Sequence, residues 1–99
     1  MNDIELPEPI EFEWDRHNQT KIRLKHNIIP EEAEHLFFNR HQIIFDEKHS
    51  LLERRYRLLG ITNSGRVLFI VFTIRRNKVR IISARVANKK ERSHYGKKT

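Results

Sequence analysis

Ile10-Glu11-Phe12-Glu13-Trp14 alternates apolar and acidic positions, the period of a half-buried strand, and a strand is expected there. Asp15 follows, a residue that caps helix N-termini, and a helix is expected from Arg16 to His26. Its apolar anchors are few, chiefly Ile22 and Leu24, so tertiary contacts must hold it. A second helix is expected in the run Ile29 to Phe38. Pro30 suits its first position, Glu31 and Glu32 meet the positive end of its dipole, and Ala33, Leu36 and Phe37 share one side.

The period then shortens. His41 to Phe45 reads as a short strand, and Arg54 to Thr62, Val67 to Arg75 and Lys78 to Val86 as longer ones rich in branched and aromatic residues. Asn63-Ser64-Gly65 joins the first long pair, and Arg76-Asn77-Lys78 is short enough to join the second as a tight hairpin. Val67 to Phe72 is apolar on both sides, which predicts a central strand covered on both faces. Asn88-Lys89-Lys90-Glu91 is a capping-box variant that should open a last helix through Tyr95. The order β-α-α-β-β-β-β-α describes an α+β domain: a curved antiparallel sheet packed against N-terminal helices, with a short C-terminal helix. Residues 1–9 read as a mobile acidic leader, 10–95 as one domain and 96–99 as a frayed basic tail.

Composition narrows the picture. Ninety-nine residues suffice for one modest core, and 37% hydrophobic content keeps it small. Cysteine is absent, which excludes disulfides and thiolate metal sites and suits a reducing cytoplasm. Neither a membrane span nor a secretory signal is legible, so a cytoplasmic location is expected. The net charge of +7 is unevenly spread. Residues 1–15 hold six acids and no Lys or Arg, whereas 75–99 hold ten basic residues and the single acid Glu91. Such a basic half draws polyanions, and nucleic acid is the expected partner class.

Certain runs carry a family likeness. Phe12-Glu13-Trp14-Asp15, then Lys25-His26 and Ile28, resemble the opening of BrnT-type toxins. So do Arg55-Tyr56 with Gly60, Gly65-Arg66-Val67-Leu68, Val71-Phe72-Thr73, and Arg80-Ile81-Ile82-Ser83-Ala84-Arg85 with Ala87, Glu91-Arg92 and Tyr95. The resemblance runs from about residue 10 to 95. It implies a RelE-like fold and a ribonuclease toxin of a type II toxin–antitoxin pair that cuts RNA and halts translation. The implied partner is a BrnA-type antitoxin with a ribbon-helix-helix region, in a 2:2 complex that binds operator DNA through the antitoxin. Asn18 stands where Lys is usual in the family, Asn27 where Gly is usual and Asn88 where Thr is usual. The last two keep the local physics, because Asn tolerates left-handed backbone and caps helices.

Cutting RNA without a metal requires a base for the 2′-OH, an acid for the leaving 5′-oxygen and cations for the phosphate. No metal-ligand pair is spaced along the chain, so no cofactor is expected. With Asn77-Lys78 as the hairpin turn, Arg75 faces Arg80, and two like charges side by side invite a phosphate or splay into water. Arg85, deep in the last strand, belongs to a site or to an ion pair, and Arg57 on the facing strand is a candidate to share its surface. Glu53 is a candidate base or a partner for Arg57. His26, at a helix end, is a candidate acid or a cap, with Lys25 beside it as a possible RNA contact. Lys89 and Lys90 could seat a phosphate or form a solvated turn. Tyr95 could touch RNA or anchor the last helix. The rival to catalysis is a binding module, or a degenerate toxin that only scaffolds its antitoxin.

Overall fold

The Asp15 carboxylate accepts the Asn18 backbone N–H at 2.8 Å and so starts α1, Arg16–His26. A computed structural model describes residues 5–96. Asn27 closes α1 at φ 54°, the left-handed conformation that Asn tolerates. Ile22 is buried beneath the helix, while the side chain of Leu24, the other expected anchor, lies outside what is described. In α2, Pro30–His35, proline occupies the first turn and Glu32 reaches back to the Ile29 N–H at 3.2 Å.

The strands are β1 Phe12–Glu13, β2 His41–Phe45, β3 Tyr56–Ile61, β4 Val67–Arg75 and β5 Lys78–Val86. They form one sheet in the order β1-β5-β4-β3-β2. The expected antiparallel sheet is corrected in one respect: β1 runs parallel to β5, pairing Phe12 with Val79 and Glu13 with Arg80. The chain can make this pairing only by crossing the fold, so no local pattern announces it. The third strand is also shorter than expected: the Arg55 N–H, which would continue the ladder with β2, donates instead to Ser50 Oγ at 2.9 Å, and the Arg54 carbonyl accepts the Thr73 hydroxyl at 2.6 Å.

One side of the sheet carries the main core. Ile22, Ile28, Ala33, Leu36 and Phe37 from the helical segments meet Leu58, Leu68, Ile70, Phe72, Val79 and Ile81. Phe12, Phe37 and Phe72 stack edge to face in series, with centroids 5.2 and 5.0 Å apart. The other side of β4 is only half covered. Phe69 and Val71 remain partly accessible, so the expected double cover of the central strand is incomplete. Helix α3, Lys89–Gly96, closes one end of that outer face through Ala87 and Tyr95 against Leu59.

Two backbone features set which residues face outward. The β4–β5 turn is Arg76-Asn77, with φ of 54° and 64°, as a two-residue hairpin demands. The pairing is therefore Arg75 with Lys78 and Thr73 with Arg80, which corrects the expected Arg75–Arg80 juxtaposition by a register shift. Second, the ladder slips between Val71 and Phe72, leaving Ile82 as an extra residue. Strict alternation would put Arg80 and Arg85 on opposite faces; the bulge brings both to the outer one.

Of the acidic leader, Leu6 packs against the core and Pro7 is buried, so these two residues lie on the body of the fold. Residues 1–4, and 97–99 of the expected frayed tail, lie outside the described residues. Among the described residues, no helix is long and apolar enough to cross a membrane.

Candidate functional site

The half-covered outer face is a groove. Ile44 of β2, Arg57 of β3, Phe69 and Val71 of β4, and Ile82 and Ser83 of β5 form its floor. Asp46 and a single 3-10 turn, Glu47–His49, wall one end, and the space there is about 800 Å³. Lys90, Glu91 and His94 of α3 wall the other, around about 240 Å³. Both lobes share Ile44, Arg57 and Phe69, so Arg57 stands where they meet.

The expected arginines have different fates. Arg57 is exposed, opposite Val71, and its guanidinium makes no hydrogen bond or ion pair among the described residues. Arg85 lies beside Phe69, its guanidinium 4.3 Å above the ring and bonded in fork fashion to Glu91 at 2.8 and 2.9 Å. Arg80 bonds Asp15 at 2.8 Å and lies 3.6 Å from Glu13. Arg75 bonds Glu53 at 2.9 Å. Glu53 thus pairs with Arg75, not with Arg57, and is engaged at the hairpin end of the sheet. Three of the four guanidinium groups already have carboxylate partners; Arg57 has none.

These pairs shift the groups that make them. The hydrogen bonds to Glu91 raise the Arg85 guanidinium above its ordinary value, against the lowering effect of burial. Arg85, bonded to it, holds the Glu91 carboxyl below its ordinary value; the Asn88 N–H helps and burial opposes. Arg75 is likewise raised by its bond to Glu53.

His26 and Lys25 are not brought to the groove. They end α1 on the helix-covered side of the sheet and line neither lobe. Lys90 lines the smaller lobe, and Lys89 is exposed beside it. Part of the phosphate seat expected at this helix start is already filled, because the Asn88 side chain accepts the Glu91 N–H at 2.8 Å. Tyr95 is a buried anchor: its hydroxyl donates to the Arg40 carbonyl at 2.8 Å, and the Arg40 guanidinium lies 4.3 Å over its ring. At 6% exposure, this packing matches the anchoring alternative for Tyr95. Asn18, at the position where a Lys was expected, donates to the Ile81 carbonyl at 3.3 Å and ties α1 to β5.

Two groove histidines escaped the sequence reading. His94 shares the smaller lobe with Arg57 and Lys90. His49 Nδ1 lies 3.0 Å from a carboxylate oxygen of Asp46, which is 5% exposed. The i, i+3 spacing of Asp46 and His49 was the available signal, but it is common and meaningless until the turn that joins them is known. Among the described residues, no three His, Asp or Glu side chains gather as a metal set.

Residues 14–91 match the model of a family described as the ribonuclease toxin, BrnT, of type II toxin-antitoxin systems. No curated protein matches the chain.

Proposed function

Since this chain belongs to the BrnT family of ribonuclease toxins of type II toxin–antitoxin systems, we propose that it cleaves RNA laid across the outer face of its sheet, with Arg57 gripping the scissile phosphate. The observation that carries this reading is the position of Arg57: central, exposed, without a carboxylate partner among the described residues, and common to both lobes of the groove. A guanidinium stays protonated near neutral pH and offers paired N–H donors that match two non-bridging phosphate oxygens. Charge grows on those oxygens as the 2′-oxygen attacks phosphorus, so a fixed cation there stabilises the transition state more than the ground state.

Phe69, Val71 and Ile44 give the floor an apolar character suited to a ribose or base. Lys90 at one end and Lys48 and Arg55 at the other offer cations to flanking phosphates. Arg85, held between Phe69 and Glu91, has its charge balanced by that carboxylate and frames the edge of the groove. Arg75 and Arg80 act in this reading as ties between elements. These side chains are proposed to suffice without a metal. A RelE-like arrangement, translation arrest in the cytoplasm and control by a BrnA-type ribbon-helix-helix antitoxin belong to the same proposal. The antitoxin would cover the groove in a 2:2 complex bound to operator DNA, and the basic surface supports an acidic or amphipathic covering segment.

One observation favours a second reading. Arg75, Arg80 and Arg85 are each bonded to carboxylates, as expected of a scaffold that holds an antitoxin without cutting RNA. Incubating purified chain with RNA in EDTA separates the two. Cleavage by the parent, reduced about 100-fold in Arg57→Ala with an unchanged melting temperature, supports catalysis. RNA left intact by micromolar parent chain supports the scaffold.

A further inference from the structure

We infer that His49, oriented by the buried Asp46 carboxylate, is the general base of the groove; the inference rests on the ribonuclease reading above. The Asp46 side chain is 7% exposed and that of His49 62%. Nδ1 of the ring lies 3.0 and 3.2 Å from the two carboxylate oxygens. A carboxylate only accepts, so Nδ1 must carry the hydrogen that faces it. In the neutral ring this tautomer leaves the Nε2 lone pair bare, and Nε2 has no partner among the described residues.

Closing the turn does not require this bond. The Ser50 hydroxyl donates to the Asp46 carbonyl, Arg55 N–H donates to Ser50 Oγ at 2.9 Å, and Asp46 N–H donates to the Arg55 carbonyl at 2.8 Å. The segment is therefore fixed by other hydrogen bonds, while a buried carboxylate is aimed at one solvent-facing imidazole. That is the arrangement by which a histidine base is held in one tautomer and orientation. Asp46, His49, Arg55 and Arg57 all line the larger lobe, which places the base in the same groove as the phosphate-gripping guanidinium.

The step balances as an internal displacement. The 2′-hydroxyl proton passes to His49 Nε2 and the 2′-oxygen forms a bond to phosphorus. The bond from phosphorus to the 5′-oxygen breaks, and that oxygen takes a proton from solvent water. The products are a 2′,3′-cyclic phosphate and a 5′-hydroxyl, and His49 later releases its proton to solvent. Asp46 is a positioning residue.

Kinetics on a short RNA with the full chain test this. His49→Ala is expected to lower kcat about 100-fold, the range of a positioned base, with KM within about twofold. Removal of the ring leaves the buried Asp46 carboxylate without the group that faces it, so the melting temperature should fall modestly, and kcat is read well below the variant's own transition. Added imidazole should restore part of the His49→Ala rate and none of the Arg57→Ala rate. Asp46→Asn should lower kcat with KM unchanged. An active parent whose His49→Ala variant keeps full kcat, or is slowed without imidazole rescue, overturns the base assignment and leaves the ribonuclease reading intact. A melting temperature lowered by His49→Ala with kcat unchanged overturns it in favour of a structural cap. An inert parent overturns both.

Discussion

A methyl group added at Gly60 would lie 3.0 Å from Leu36 Cγ and 3.1 Å from His41 Cβ. Neither neighbour can retreat easily, since Leu36 is fully buried and His41 is paired with Gly60 across β2 and β3. Gly60→Ala is therefore expected to cost about 1–3 kcal/mol by overpacking, read as a lower denaturant midpoint with an unchanged slope. An unaltered midpoint would show that this close approach is soft. Tyr95 is a second residue whose role is packing: Tyr95→Phe strands the Arg40 carbonyl and should cost about 1 kcal/mol. Arg57 is the opposite case. It holds nothing in place among the described residues, so its removal should leave stability alone and reach only function.

At the scale of elements, α3 shows how several weak devices combine. Asn88 and Glu91 exchange hydrogen bonds at 2.9 and 2.8 Å, a reciprocal cap for the first turn. The same Glu91 forks onto Arg85 and so ties the helix start to β5. Its folded-state pKa is depressed by Arg85 first and by the Asn88 N–H next. A depressed carboxylate stabilises the fold fully above its unfolded value near 4.5 and loses that contribution as pH falls through the lower folded value. Acidification below about pH 4.5 should therefore loosen α3, seen as faster amide exchange at 90–94, and Glu91→Gln should flatten that dependence. Helix α1 tells a related story: its boundaries were legible because Asp15 and Asn27 act locally, through hydrogen bonds within a few residues.

Across the whole molecule, acids of the first fifteen residues partly neutralise the basic remainder. Glu13 and Asp15 come to Arg80, far along the chain, and blunt one region of the basic surface. Arg57, Lys48, Arg55 and Lys90 stay along the groove. RNA affinity should consequently fall steeply with salt, roughly 0.7 log units per log unit of salt for each phosphate neutralised on a single strand. Antitoxin association should slow in high salt for the same reason. Stopped-flow rates that do not change between low and high salt would contradict this picture.

Sequence alone determined the elements whose signals are local. The caps of α1 and α3, proline at the start of α2, and the apolar runs of β2, β4 and β5 lie where the residues put them, because a cap or a period acts over a few neighbours. Family likeness and the basic excess were legible too, since both are properties of the chain as written. Tertiary structure decided what depends on distant partners. It set the parallel return of β1, the bulge at Ile82 that turned Arg85 to the outer face, and the choice of which arginines meet carboxylates. It also brought His49 and Arg57 to one groove. A period of two fixes a side chain's face only until one extra residue reverses it, and an ion pair between distant residues leaves no mark on the spacing of either.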